Sequence, residues 1–345
     1  MQAYMPTVTI IKPDYYKKFS CKCGACRAVC CRGWRITLTE KEYFRILGLN
    51  CSPNLRNLLD TSLRILEEPT DDQYAAVVPD ASGRCRICDE NGLCSLQCEC
   101  GEAVLPSVCR MFPRDVCAGE VSTVALSASC EGVVELLMNE PAPLTWSAEV
   151  VHTVNEPDTP APDPTVLARR TKVLDAFQQG ADMAQRFANL AALCGSASPD
   201  LSPRAVYEEG RKLCELLGTY SVTLCDRAEE LLDRFADFAP WADAEKRFAE
   251  LLPDSDRYFA NLITNWMYLA HFPDFHDTFE DIANCTPEKA FVTVLATYDF
   301  LRFFAVGLLR ADDHPQTGFA DTAAAVFRYI DHTPWTENVL KIVKN

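Results

Sequence analysis

The chain has 345 residues, 48% of them hydrophobic and 24% charged, a globular balance that excludes disordered and fibrous classes. Lys+Arg 33 against Asp+Glu 49 gives a net charge of -16, which repels a phosphate backbone or an anionic bilayer, so neither nucleic acid nor membrane is an expected partner. The same charge suits solubility and attraction to basic protein surfaces.

In chain order, Met1 to Phe19 (MQAYMPTVTIIKPDYYKKF) shows no basic segment leading into a long apolar run, which predicts a cytoplasmic protein. Thr39 with Glu42 three residues on is a capping-box pattern for a helix at 40–48. Ser52-Pro53 starts another helix, expected to run to about Leu66. Short strands are expected at 34–38, 73–78 and 120–127. The stretch 83–118 is rich in cysteine and poor in aliphatic residues, so its loops need a covalent or metal staple.

Residues 152–164 (HTVNEPDTPAPDP) hold four prolines, which forbid helix and favour an extended connection. The expected organisation is a cysteine-rich metal-binding domain at 1–151, a proline-rich linker at 152–164 and a helical domain at 165–345. The first 150 residues carry 15 Lys+Arg and 19 Asp+Glu, the remainder 18 and 30, so the acidity is -4 before that point and -12 after it. Apolar residues recur at three- and four-residue intervals over 165–194, which predicts one long amphipathic helix. Further helices are expected at 203–217, 226–238, 241–252, 255–272, 287–311 and 318–331. Phe291 to Leu309 approaches membrane-span length, but Asp299 and Arg302 lie within it, so a buried core helix is expected, with those two charges paired at helical spacing rather than facing a substrate cleft, the alternative. The fold class is mainly α, with an irregular cysteine-rich N-terminal domain of short strands and helices before an all-helical C-terminal domain.

Fourteen of the 18 cysteines fall within the first 130 positions. One cluster reads Cys21-x-Cys23-x2-Cys26-x3-Cys30-Cys31, the other Cys85-x2-Cys88-x5-Cys94-x3-Cys98-x-Cys100, followed by Cys109, Cys117 and Cys130. In a reducing compartment such thiols are expected to bind metal rather than form disulfides. All five histidines lie outside both clusters, so the ligands are thiolates alone, which suits an iron-sulfur cluster or a four-thiolate zinc site. The spacing matches neither ferredoxin pattern and leaves the ligand set and the number of metal sites open. Cys194, Cys214, Cys225 and Cys285 stand alone on helical patterns and are expected to act as small apolar side chains.

The run Tyr16-Lys17-Lys18-Phe19-Ser20-Cys21, with Cys26, Cys30-Cys31, Gly33-Trp34 and Ile36, then Cys85, Gly92-Leu93-Cys94, Gly101-Glu102, Leu105, Cys109, Phe112-Pro113-Arg114 and Ser129-Cys130, resembles the flagellin lysine-N-methylase (FliB-type) family. More loosely it resembles the CxCxxCC zinc- or iron-chelating family. The resemblance covers about residues 15–135. It implies a cytoplasmic enzyme that carries an iron-sulfur cluster, 4Fe-4S in type, and transfers methyl groups from S-adenosylmethionine to lysines of flagellin. By matching positions it assigns Cys21, Cys26, Cys30, Cys31, Cys85, Cys94, Cys109 and Cys130 as the family cysteines, with Cys23, Cys88, Cys98, Cys100 and Cys117 as additions.

Methyl transfer has only partial support from the residues themselves, since no G-x-G-x-x-G fingerprint follows an expected strand. No Cys-x3-Cys-x2-Cys triplet is present either. Trp34 is a candidate for covering the metal site or for ordinary core packing. Arg114 is a candidate for a fork to the cofactor carboxylate or for a surface ion pair. The competing reading is a non-enzymatic zinc- or iron-chelating or redox-sensing protein whose helices form an interaction surface.

Overall fold

The structure, a computed structural model, describes residues 6–27, 30–32, 35–153, 159–217, 222–274, 285–309 and 314–343. Two compact units divide the chain: Ser20–Phe112 is one, and Met1–Phe19 with Pro113–Asn345 is the other. The cysteine-rich unit is thus an insertion into the helical one. The expected boundary at 152–164 falls inside the larger unit, because the strand that precedes it pairs with the start of the chain.

That pairing begins with β1 (Thr7–Pro13). Within the inserted unit follow β2 (Thr37–Leu38), α1 (Glu40–Leu47), α2 (Pro53–Ser62), β3 (Leu63–Ile65), β4 (Ala75–Val77), α3 (Ser95–Cys100) and α4 (Ser107–Met111). The order β2-β4-β3 makes a small antiparallel sheet. The capping box forms as expected: the Glu42 amide donates to Thr39 Oγ1 at 3.2 Å, and the Thr39 amide donates to Glu42 Oε2 at 3.0 Å. Ser52 caps α2, but that helix stops at Ser62 rather than Leu66. Leu63–Ile65 pair with β4 instead, where the side chain of Leu63 is buried. This unit's core, among the described residues, has only twelve buried apolar side chains, chiefly aliphatic ones such as Leu38, Ile46, Leu59 and Leu96.

The larger unit continues with β5 (Arg114–Cys117), β6 (Val121–Leu126), α5 (Glu131–Asn139) and β7 (Trp146–His152). Its sheet runs β5-β6-β1-β7, with β1 parallel to β6 and antiparallel to β7. A parallel neighbour requires a crossover connection, and here the crossover contains the whole inserted unit. The helices are α6 (Pro164–Gln178), α7 (Met183–Cys194), α8 (Pro203–Leu213), α9 (Val222–Arg234), α10 (Phe238–Leu251), α11 (Ser255–Leu269), α12 (Pro287–Leu308), α13 (Pro315–Asp331) and α14 (Trp335–Val343). The single helix expected over 165–194 is two. Asp182 caps α7 through the Gln185 amide, and Gly180 lies so close to Arg186 that a Cβ there would meet its amide nitrogen at 2.4 Å.

α12 is long and apolar enough to cross a membrane by length and composition, and 78% of its most apolar stretch is buried within the unit. It packs on α8, where Gly210 permits the approach: a Cβ there would stand 2.4 Å from Phe303 Cβ. Trp241 stacks on the same ring at 5.0 Å. Gly210→Ala is expected to cost about 3 kcal/mol by forcing the two helices apart, measured as a shift in the urea midpoint at unchanged slope.

The expected Asp299–Arg302 pair does not form. Arg302 donates instead to Glu245 through Nε at 3.1 Å and Nη2 at 2.9 Å, and to Tyr298 Oη at 2.7 Å. Asp299, three residues away, is left with Oδ1 buried and without a hydrogen-bond partner. Burial, reinforced by Glu209 and only partly offset by Arg302, pushes its carboxyl well above 3.8. The native state therefore keeps this proton at pH values where the unfolded chain has lost it, and stability falls as pH rises from the unfolded value through that window. Asp299→Asn is expected to raise stability by about 1–2 kcal/mol at pH 7, with the gain shrinking towards pH 4; denaturation curves at the two pH values check this.

Cys194 and Cys214 are buried apolar residues as expected, with burial pushing their thiols up to about 11 and about 12. Half-buried Cys225 donates to the Leu217 carbonyl at 2.8 Å, and Cys285 is half-buried just before α12.

Candidate metal centre

Seven of the eight family-matched cysteines lie in the Ser20–Phe112 unit: Cys21, Cys26, Cys30, Cys31, Cys85, Cys94 and Cys109. Cys130 belongs to the larger unit, at the N-cap of α5, where it packs on that unit's apolar core.

The first cysteine loop is held to the second by its backbone. The Cys85 amide donates to the Cys31 carbonyl at 2.7 Å, and Arg32 bridges to Arg84. The turn Cys23–Ala25 lies against residues 91–93, where a Cβ on Gly24 would meet the Asn91 carbonyl and Leu93 Cδ2, both at 2.9 Å. Only glycine allows this approach. Cys23 itself sits at φ 51, a left-handed conformation that costs a non-glycine residue about 1 kcal/mol, and its amide donates to Cys21 Sγ at 3.4 Å.

The second loop is a hairpin-like bridge between Cys88 and Cys94, tightened by Asp89, whose Oδ1 accepts from the Asn91 and Leu93 amides at 2.9 and 2.8 Å. Cys94 precedes α3 and Cys98 follows one turn later, so both lie on one side of that helix. Cys109 rides on α4, whose start is fixed by α1. Glu42 Oε1 accepts from the Ser107 amide at 2.7 Å, and Arg45 Nη2 donates to the Leu105 carbonyl at 3.2 Å. Burial opposes ionisation of Glu42, yet the amides of Thr39 and Ser107 outweigh it and lower its pKa below 4.5. The stability this carboxylate adds is present above the unfolded value and is lost as pH falls through the folded one. Glu42→Gln is expected to cost the inserted unit about 1–3 kcal/mol at pH 7, with wild type and variant converging in acid; hydrogen exchange of the Ser107 amide reads the loss locally.

These contacts bring the thiols within electrostatic reach of one another. Cys31 is pushed up by its hydrogen bond with Cys30, by burial and by Cys88 and Cys85. Burial takes Cys85 to about 11, with Cys94 and Cys88 adding to the rise. Cys109 is raised by burial and by Cys85, Cys94 and Cys30, Cys94 by burial and by Cys88 and Cys98, and Cys23 by Cys21, burial, Cys30 and Cys98. Every resolved shift in this set is upward, because burial and the repulsion between neighbouring thiolates both oppose ionisation, and a cation among them would favour the thiolates instead.

Among the described residues no three Cys, His, Asp or Glu side chains stand close enough together to hold a metal ion as placed. The donor chemistry is nonetheless sulfur throughout, which fits an iron-sulfur cluster or a thiolate zinc site. Cys23, Cys88 and Cys98, additions to the family pattern, share the neighbourhood of the matched thiols. For Cys88 and Cys98 the C-x2-C spacing to Cys85 and the i, i+4 spacing to Cys94 carry that signal. Cys51 and Cys100 form a separate pair beside Glu99 and Arg56, whose Nη2 donates to Cys51 Sγ at 3.5 Å. Cys117 is exposed on β5 of the other unit.

Sequence reasoning missed Arg84, whose Nη2 donates to Cys88 Sγ at 3.3 Å. A positive charge one residue before Cys85 was its only trace. Arg114 opens β5 in the larger unit, with its guanidinium 5.5 Å from the Phe19 ring centre. This is a cation–π contact in place of the surface ion pair. Trp34 lies outside the described residues.

No family model matches the chain, and no solved structure matches it. Among curated proteins, the chain is 29% identical over 149 residues to proteins named lysine-N-methylase from Salmonella typhimurium and Salmonella choleraesuis. The match spans 43% of this chain and 37% of the length of those relatives. It is 30% identical over 139 residues, 40% of this chain, to the flagellar biosynthetic protein FliU of Salmonella muenchen. Because that alignment takes in 81% of FliU, this chain belongs to the FliB-type flagellin lysine-N-methylase family.

Proposed function

We propose that this protein is a cytoplasmic protein-lysine N-methyltransferase that uses S-adenosylmethionine, acts on flagellin, and carries an iron-sulfur cluster on the thiols of residues 21–109. The single observation that carries the activity is the likeness to two proteins named lysine-N-methylase. The flagellar name of the third relative supports the substrate. The all-sulfur donor set and the backbone bonds that hold its two loops together support the cluster, which when bound would supply either a rigid staple or an iron coordination site.

In methyl transfer the neutral lysine Nζ forms a bond to the methyl carbon as the carbon–sulfur bond of the sulfonium breaks. The electron pair of that bond stays on the departing thioether, and the methylated amine then carries the positive charge. An ammonium has no lone pair, so the enzyme must desolvate the lysine or otherwise lower its pKa from about 10.4. The excess of acidic residues after position 150 supports attraction of a lysine-bearing surface across a Debye length of about 8–10 Å.

The test has two readouts. Protein purified without oxygen is expected to contain iron and acid-labile sulfide. With S-adenosylmethionine and flagellin it is expected to add mass to the flagellin in one-methyl steps. Stoichiometric zinc in place of iron overturns the cluster assignment but not the activity. Unmodified flagellin, with no heat on titrating S-adenosylmethionine, overturns the activity and favours the chelating reading.

A further inference from the structure

The larger unit contains a pocket of about 110 Å³ between its sheet and its helices, lined by Ile11 of β1, Thr123 of β6, Trp146 of β7, Leu167, Arg170, Thr171, Leu174 and Asp175 of α6, and Tyr268 of α11. It is several times the space one water needs. Its walls are apolar on the strand side and along Leu167 and Leu174, which face it one turn to either side of Arg170. Trp146 and Tyr268 close one end, with their rings 5.3 Å apart.

Arg170 is the unusual member. It is only 8% exposed, and its guanidinium lies 5.8 Å from the Tyr268 ring centre and donates from Nη2 to the Tyr268 carbonyl at 3.1 Å. Among the described residues no carboxylate stands within ion-pair distance of it; Asp274, the partner of neighbouring Arg169, acts on it only from a distance. A guanidinium held this far from water costs several kcal/mol unless a counter-charge meets it, and its planar fork is matched by a carboxylate accepting two parallel bonds. Asp175, exposed and five residues further along the same helix, also lines the pocket, so besides the buried positive charge the pocket carries one negative charge. A simple anion gains from the first and loses from the second, whereas a zwitterion gains from both.

We propose that this pocket binds the end of a small α-amino acid with an unbranched apolar side chain: the carboxylate on Arg170, the ammonium towards Asp175, and the side chain against Ile11, Leu167 and Leu174. The site lies wholly within the larger unit and uses none of the cysteines, so it stands whether or not the methyl-transfer reading does.

Titrating the full chain with L-norleucine and L-methionine tests the proposal, with tryptophan fluorescence as the readout because Trp146 forms a wall. A saturable change is expected with both. L-Norleucine methyl ester, which lacks the carboxylate, and hexanoate, which lacks the ammonium, are each expected to bind at least about tenfold more weakly. Arg170→Lys, which keeps the charge but not the fork, is expected to weaken binding about tenfold, and Asp175→Asn about fivefold. Trp146→Phe should remove the optical signal while the heat of binding remains. Far-ultraviolet circular dichroism of each variant separates lost binding from lost folding, and the exposed Asp175→Asn exchange decides the matter if an Arg170 variant fails to fold. No saturable response to either amino acid, an ester or hexanoate that binds as tightly, or both variants binding like the parent would overturn the assignment.

Discussion

Cys31→Ala is expected to strip the inserted unit of bound metal and to unfold most of residues 20–112, and Cys30→Ala to do the same. The reasoning starts from the small core. About a dozen buried apolar side chains, most of them aliphatic, serve a 93-residue unit, and domains with so little to bury depend on staples. Cys31 sits where the two cysteine loops join: its carbonyl accepts the Cys85 amide, and Cys30, Cys85 and Cys88 all lie within reach of its thiol. At such sites ligation free energy is folding free energy, about 10 kcal/mol for structural thiolate metal, which exceeds what the remaining core can supply. Metal analysis combined with limited proteolysis reads both effects, and the larger unit should survive as a protected fragment from about residue 113 onwards with the segment that carries β1 held to it. Cys194→Ala, in the core of that unit, is expected to leave metal content unchanged. Full metal retention by both Cys30→Ala and Cys31→Ala would remove them from the ligand set.

Arg302→Met is expected to destabilise the larger unit by about 3–5 kcal/mol, because it leaves Glu245 charged and buried without its partner. The Glu245 side chain is 7% exposed and that of Arg302 20%, so solvent screens the pair little. At about 2–4 °C per kcal/mol for a unit of this size, the melting temperature should fall by roughly 6–20 °C. Glu245→Gln should cost less, since the amide oxygen still accepts one bond. The double variant Arg302→Met/Glu245→Leu is expected to recover much of the loss, because two apolar groups of similar shape avoid the desolvation that either charge suffers alone. A double variant no more stable than Arg302→Met would mean that the lost Tyr298 contact, not the stranded carboxylate, dominates.

The same residues show why the partner of Arg302 could not be read from the chain. Asp299 and Arg302 stand three apart, and local spacing favours a pair. In the folded unit, α10 offers Arg302 a bidentate carboxylate from Glu245, 57 residues away, and bidentate geometry outweighs proximity in sequence. A local pattern carries no information about that competitor.

Helix starts were legible because caps are local chemistry. Thr39 with Glu42 and Ser52-Pro53 each begin a helix where the residues indicate. Strands were less so. The expected strand at 120–127 is β6 and that at 73–78 contains β4, but β1, β5 and β7 were not anticipated. β7 is an edge strand with mostly exposed side chains, so it shows little of the apolar alternation by which a strand is recognised. β1 is recognisable chiefly through its partners, 110 and more residues distant.

By itself the sequence determined the helical class, the cap positions, the all-thiol character of the candidate metal centre and the family, since each depends on residue type at short spacing. Tertiary structure alone decided that the cysteine-rich unit is an insertion, since β1 pairs with β6 and β7 across it. It also placed Cys130 in the other unit. Those outcomes turn on hydrogen bonds and packing between segments far apart in the chain, where the free energy of a contact depends on what else is folded around it and not on the residues that precede it.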